Sequence, residues 1–231
     1  MPNMYQEYLD AISLKGLSAS GYYQGFYYDT TYNHGVAQDH DKYVNNINVM
    51  MYWLERRLGY SHKSACACIG NAMYESEMNP ASLEVYQSTE RGGGLYQWTP
   101  FQQYMYWPAE HGQAQYWMVC SGEGQMKRFK YEYDNNDTDV MWSPTYAENV
   151  CSWPEFRSNS KEIDGEIHED YWTVEQLTEH FCRGYLFGGW TNQRVIYALQ
   201  VYDNVNQEYH PLNPYAWLLF KMSKLNRGEL W

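Results

Sequence analysis

The chain has 231 residues, enough for one sizeable core or for one domain with extensions. Its 28 acidic residues outnumber the 16 basic ones, and a net charge of −12 repels phosphate backbones and argues against nucleic acid as a partner. No apolar run approaches the roughly 20 residues a membrane-spanning helix needs, so no membrane partner is expected. The aromatic content is high, with 25 Tyr, 10 Trp and 7 Phe. Such side chains suit sugar stacking, protein interfaces and ordinary cores alike, so composition does not choose among these.

The N-terminal MPNMYQEYLDAISL lacks a basic region followed by an apolar run, so it does not read as a secretory signal. The five cysteines (Cys66, Cys68, Cys120, Cys151, Cys182) are odd in number and irregularly spaced. There is no CxxC pair, no HExxH and no paired His at ligand spacing, so no metal site and no cofactor are expected. Free buried thiols are the expected state. A cysteine peptidase would use Cys66 or Cys68 with a distant His, and none of the seven His stands out.

In chain order, residues 5–15 read as a short helix. The stretch 18–35 has no helical period and reads as irregular or strand-like. Residues 41–58 place Tyr43, Ile47, Met50 or Met51, Leu54 and Leu58 on one helix face, with Gly59 as the stop. Ser61 then caps a second helix carrying Ala65, Ile69, Ala72 or Met73, and Ser76 on one face, closed by Pro80. Glu75 falls in the last turn of that helix. There a carboxylate meets the negative end of the helix dipole, and partial burial would add to the effect. Both favour the protonated form that a general acid needs.

Gly92, Gly93 and Gly94 permit unusual backbone angles and close approach of a ligand. Leu95–Trp98 reads as strand-like, and Thr99-Pro100 as the start of a helix over 100–107. A helical stretch over 113–133 is interrupted at Ser121-Gly122, and 134–139 is a polar turn. A short helix is expected near 145–151, followed by a charged loop. Thr173-Val174-Glu175-Gln176 fits a capping box, after which Leu177, Phe181 and Tyr185 share one face up to Gly188-Gly189. Thr191 is read as the cap of a last helix with Val195, Ala198, Leu199, Tyr202 and Val205 inward. Residues 206–231 read as a short docking helix.

Two motifs stand in order. The first is Gly70-Asn71-Ala-Met-Tyr-Glu75-Ser76-Glu-Met-Asn79-Pro80, and the second is Gly94-Leu95-Tyr96-Gln97-Trp98-Thr99-Pro100. Together with Leu177-Thr-Glu-His-Phe181 and Arg194…Tyr197-Ala198, this pattern resembles the phage tail lysozyme family. That family is in turn similar to goose-type lysozymes and soluble lytic transglycosylases. The resemblance covers roughly 42–205. It leaves 1–41 as an aromatic N-terminal extension and 206–231 as a C-terminal one. The family's usual Gly-Gly-Tyr-Gly-Leu loop is here Gly92-Gly93-Gly94-Leu95.

The resemblance implies a mainly α (α+β), lysozyme-like domain with a small β-element at the glycine-rich loop. It implies that Glu75 is the general acid protonating a glycosidic oxygen between amino sugars of peptidoglycan glycan strands. Ser76 is a candidate to hold the Glu75 carboxyl, while Tyr96, Gln97 and Trp98 are candidates to line the cleft. Glu77, Glu84 and Glu90 are the candidate second carboxylates, the last two from the loop over the cleft. Without such a base, the sugar's own 6-hydroxyl would attack, as in a transglycosylase. The expected setting is a virion, in a phage tail, with the extensions contacting other tail proteins. The alternative is a non-enzymatic tail structural protein that keeps the fold and binds glycan.

Overall fold

A computed structural model describes residues 18–30, 40–83, 92–99, 121–135 and 142–204. The helices expected at 5–15, 100–107 and 206–231 lie outside these residues, as do Glu84, Glu90 and Cys120. The described chain is mainly helical with two short antiparallel hairpins, in agreement with the α+β class. It divides into two compact units, one of Met1–Val49, Glu75–Arg128 and Tyr209–Trp231, the other of Met50–Tyr74 and Phe129–Glu208.

In the first unit, β1 (Ser20–Tyr23) pairs with β2 (Phe26–Asp29). The two-residue turn Gln24-Gly25 has positive φ at both positions, the requirement for a tight hairpin that follows the strand twist. The outer edge of β2 is closed by two asparagines. Asn46 of helix α1 (His40–Tyr52) accepts from the Tyr27 N–H and donates to the Tyr27 carbonyl, both at 2.7 Å. Asn79 does the same for Asp29, at 3.1 and 2.8 Å. Each amide side chain replaces one missing ladder partner, so the edge leaves no template for a further strand. Asn46 also donates to the Met78 carbonyl, joining α1 to the turn that carries Asn79.

In the second unit, α1 continues into a wider turn, Trp53–Arg57, and stops at Gly59 (φ +71°) as expected. Helix α2 (His62–Ser76) starts at Ser61, whose Oγ accepts from the Ser64 N–H at 3.2 Å. Helices α3 (Gly122–Asn135), α4 (Pro144–Asn149) and α5 (Trp153–Ser158) lead to the hairpin of β3 (Ser160–Ile163) and β4 (Glu166–Glu169). Two features here go beyond the sequence expectation, which placed one short helix near 145–151 and a charged loop over 159–170. Ser152 and Glu155 form a capping box that starts α5. Asp164-Gly165, with φ of +53° and +84°, forms a tight β3–β4 turn.

Helix α6 (Val174–Phe181) begins with the Thr173/Gln176 capping box and continues as a wider turn, Cys182–Leu186. Leu177, Phe181 and Tyr185 are all buried, as their spacing predicts. Phe181 and Tyr185 join Tyr60, Phe129, Trp142, Trp153 and Phe156 in one aromatic core, with ring centroids 4.9–6.0 Å apart. The buried indole N–H groups reach the Tyr60 hydroxyl (2.7 Å, from Trp153) and the Cys151 carbonyl (2.6 Å, from Trp142). Much of the aromatic excess in the described chain is therefore core.

The last helix, α7 (Asn192–Asn204), is rotated relative to the expected face. Arg194, Ala198 and Val201 are buried, whereas Val195, Leu199 and Tyr202 are only half-buried. The Thr191 carbonyl accepts from the Arg194 N–H, but the Thr191 hydroxyl has no partner among the described residues, so it does not act as the cap. Arg194 faces inward because Asn71 Oδ1 (3.1 Å) and the Gly189 carbonyl (3.2 Å) accept from its guanidinium, which also lies 4.2 Å from the Tyr74 ring centroid. One turn further on, Ala198 meets Gly70 so closely that a Cβ on Gly70 would lie 2.6 Å from both the Ala198 Cβ and its backbone N.

His180 gives this unit a pH dependence. It is buried against the edge of Trp172, and its Nδ1 lies 2.8 Å from the Tyr146 hydroxyl. An imidazolium would also carry a proton on Nε2, which has no partner among the described residues. Burial lowers the His180 pKa to about 4, outweighing Glu179 and Glu155, which act upward, while nearby Lys161 adds to the lowering. The unfolded chain therefore binds a proton near the ordinary histidine value of about 6.5, and the folded chain does not until about pH 4. Stability is full above the upper value, falls as pH drops between the two, and levels off below the lower. The expected loss is about 2–3 kcal/mol. Urea unfolding of His180→Asn, which can still bond Tyr146 without titrating, should show that fall largely removed.

Candidate active site

The first unit builds its most constrained structure around the end of α2. Ser76 is the last helical residue. Glu77 (φ +47°) and Met78 (φ +63°) follow in the left-handed region, which is uncommon outside glycine. The strain is held by what comes next: Met78, Asn79 and Pro80 are buried, Asn46 bonds the Met78 carbonyl, and Asn79 bonds Asp29.

Against this reversal sits the glycine-rich segment. Gly93 and Trp98 exchange backbone hydrogen bonds (3.1 and 2.9 Å), closing a turn over Gly94–Gln97, and Gly93 also bridges to Leu83. This is the small β-element expected at the loop. The strand expected over Leu95–Trp98 is instead a turn, because Gly94 (φ +78°) and Gln97 (φ +51°) both adopt left-handed angles. Gly94 is needed for a second reason: a Cβ there would stand 2.8 Å from Gln125 Oε1.

Three side chains hold this turn to the helix end. The Ser76 hydroxyl donates to the Leu95 carbonyl at 3.0 Å. The Leu95 N–H donates to Gln125 Oε1 at 2.7 Å, and Gln125 Nε2 donates to the Pro80 carbonyl at 2.6 Å. Gln97 Nε2 donates to the Gly94 carbonyl (3.0 Å) and to Ser82 Oγ (3.2 Å). All these groups except Gln97 are buried. Replacing Gln125 with Ala leaves the Leu95 N–H and the Pro80 carbonyl buried and unmet. The expected cost is about 3 kcal/mol, against about 1 kcal/mol for Ser76→Ala, read by chemical denaturation.

The sequence candidates divide accordingly. Glu75 is half-buried, one residue before the Ser76 anchor. The Ser76 hydroxyl donates to the Leu95 carbonyl and so braces the turn one residue beyond Glu75. Tyr96 and Trp98 are buried and meet edge to face at 5.4 Å, supporting the turn from beneath. Gln97 is half-exposed with its amide nitrogen engaged. Glu77 is half-buried in the left-handed turn, and Glu84 and Glu90 lie outside the described residues. Gln125 was not anticipated. Its one signal was a Gln among apolar positions of a helix that starts at Ser121.

The second unit holds a constellation that the scattered histidines did not suggest. His62 and Cys66 lie one turn apart on α2, with Cys66 Sγ 3.8 Å from His62 Nε2 and Glu55 Oε1 2.6 Å from His62 Nδ1. The order thiol–imidazole–carboxylate is that of a cysteine hydrolase. Its physics is opposite. Cys66 is fully buried, and burial together with the Glu55 charge pushes its thiol pKa far up, so the nucleophilic thiolate is suppressed. The other described cysteines, Cys68, Cys151 and Cys182, are likewise buried free thiols.

Among the described residues no group of His, Cys, Asp and Glu could hold a metal ion. No described helix is long and apolar enough to cross a membrane. Comparison with known proteins gives one curated relative, "Morphogenesis protein 1" of Bacillus phage B103. It is 33% identical over 96 residues, a stretch that covers 41% of this chain and 25% of that protein. The chain thus spans about a quarter of that relative's length. The family model for phage tail lysozyme matches residues 44–205. That span takes in the Glu75 helix end, the glycine turn, Gln125 and the Gly70–Ala198 contact, and with it the chain belongs to the phage tail lysozyme family.

Proposed function

We propose that this chain cleaves the glycan strands of peptidoglycan between amino sugars, with Glu75 as the general acid. The observation supporting this is the position of Glu75. It is a half-buried carboxyl at the end of a helix, next to a backbone reversal that several buried hydrogen bonds hold in place. A braced backbone reversal beside the carboxyl supports holding it in a fixed place before substrate binds. In the reaction the Glu75 proton passes to the glycosidic oxygen as the C1–O bond breaks, and positive charge develops at C1. Water closes the hydrolytic route, activated by a second carboxylate, for which Glu77, Glu84 and Glu90 are the candidates. The sugar's 6-hydroxyl closes the anhydro route. Gln97, through its amide oxygen, is the proposed contact to substrate, with Ser76, Tyr96 and Trp98 positioning the turn.

In this reading the protein is part of a phage tail and thins the cell wall when DNA enters the host. Residues 1–41 and 206–231 would provide attachments to other tail proteins. Purified protein should clear a peptidoglycan suspension. If it sediments with peptidoglycan without clearing it, the alternative of a glycan-binding structural protein is the better one.

A further inference from the structure

In the second unit, the loop between the Cys182–Leu186 turn and α7 carries two residues that its own structure does not ask for. Phe187 ends the wide turn in the left-handed region, with φ of +51°. That position favours glycine, because a Cβ there crowds the backbone. The chain instead places a large apolar ring there and leaves it 65% exposed. Neither backbone geometry nor burial accounts for an aromatic side chain at 187. Gly189 is the converse case. Its φ lies outside the left-handed region, and a Cβ there would meet no atom within 4 Å. Neither backbone nor packing demands glycine at 189, so its effect is to leave open space beside the loop.

The loop is held in place from beneath. The Cys182 carbonyl accepts from the Gly188 N–H at 3.3 Å, and Cys182 Sγ lies 3.6 and 3.8 Å from the Gly188 and Gly189 carbonyl oxygens. Arg194 Nε donates to the Gly189 carbonyl at 3.2 Å. The same guanidinium lies 4.2 Å from the Tyr74 ring centroid. Arg194 is buried and meets that ring from the protein side, while Tyr74 remains 40% exposed. One arginine thus ties the loop to a second exposed ring, on the residue that precedes Glu75 in α2. Beyond the loop, the first two residues of α7, Asn192 and Gln193, are exposed amides.

We propose that this loop is a sugar-binding platform for the glycan strand, with Phe187 as its stacking face and Gly189 as the space that admits the ring. The proposal rests on the reading that glycan is the substrate, and adds to it a binding site that Glu75 does not form. The axial C–H groups of a pyranose carry slight positive charge and pack on the electron-rich face of an aromatic ring. Exposed amides offer both donors and acceptors to sugar hydroxyl and acetamido groups. Two exposed rings set among glycines and amides differ from the contiguous apolar patch that marks a protein interface. A loop already fixed loses little freedom on binding, which favours contact through one rigid ring.

Sedimentation of the full chain with purified peptidoglycan tests this, in a Glu75→Gln background that keeps the glycan whole. Phe187→Gly should weaken binding by about tenfold without lowering the melting temperature, since glycine relieves the left-handed angle. Phe187→Trp should keep the binding. Gly189→Gln should fill the open space and weaken binding with melting unchanged. A soluble tetramer of N-acetylglucosamine should compete, and free stem peptide should not. Competition by stem peptide alone overturns the sugar assignment. A lower melting temperature in Phe187→Gly makes the ring structural and overturns its role. Binding that neither variant alters, or no binding by the unsubstituted chain, overturns the site. If binding depends on Phe187 but the unsubstituted chain cleaves nothing, the platform stands and the Glu75 reading fails. If Glu75→Gln abolishes cleavage and Phe187→Gly leaves binding intact, only the platform fails.

Discussion

Glu75→Gln should lower peptidoglycan cleavage by about 10²–10⁴-fold while leaving glycan binding and melting temperature close to wild type. The change removes a proton donor and keeps shape and hydrogen-bonding capacity. The lost rate then measures proton transfer to the leaving oxygen rather than damage to the fold. Glu75 is half-buried, and glutamine keeps its length and can both accept and donate hydrogen bonds in its place. The Gln125→Ala variant is the informative contrast. It should lose stability first and activity in consequence. A parallel loss of both in Glu75→Gln would make Glu75 a structural residue.

The largest stability effect is expected at Gly70. A Cβ there meets the backbone N, Cα and Cβ of Ala198 at 2.6–2.7 Å, and none of these atoms lies on a flexible side chain that could move aside. Alanine would gain about 1 kcal/mol in helix propensity over glycine. Forcing the two helices apart costs about 1–3 kcal/mol or more, and also lengthens the Asn71–Arg194 bond and lifts the guanidinium from Tyr74. With loss of the charged Asn71–Arg194 bond adding about 1.5–3 kcal/mol, Gly70→Ala is expected to lose about 2–4 kcal/mol net, measured by urea denaturation. The double variant Gly70→Ala/Ala198→Gly should recover only part of this. It removes the Cβ–Cβ clash but leaves the backbone N and Cα of residue 198 in place.

The same contact shows what was legible in the sequence. Caps and stops could be read directly, because each is a local property of a few residues. Ser61, Gly59 and the Thr173/Gln176 box all act as their chemistry predicts. The Gly70-Asn71 and Arg194-x-x-x-Ala198 motifs were visible as a resemblance, but their physical meaning is a helix crossing more than a hundred residues apart in sequence. Hydrophobic periodicity placed the face of α7 one step off, since it directs arginine outward and has no way to anticipate Asn71 and Tyr74 as partners. The β3–β4 hairpin was missed because β4 is exposed along its whole length, so no alternation marks it. The Asp164-Gly165 turn was the available signal. At the site, Glu75 stood out by motif. The Ser76–Leu95–Gln125–Pro80 chain did not, because backbone groups carry half of it and their partners depend on two left-handed turns.

The central claim is that the chain breaks glycosidic bonds. Mass analysis of the soluble products from purified peptidoglycan tests it most directly. The account predicts fragments cut between amino sugars, with reducing ends if water is the acceptor or 1,6-anhydro ends if the 6-hydroxyl is. Fragments released only by cutting peptide bonds, or glycan bound and recovered intact, would contradict it.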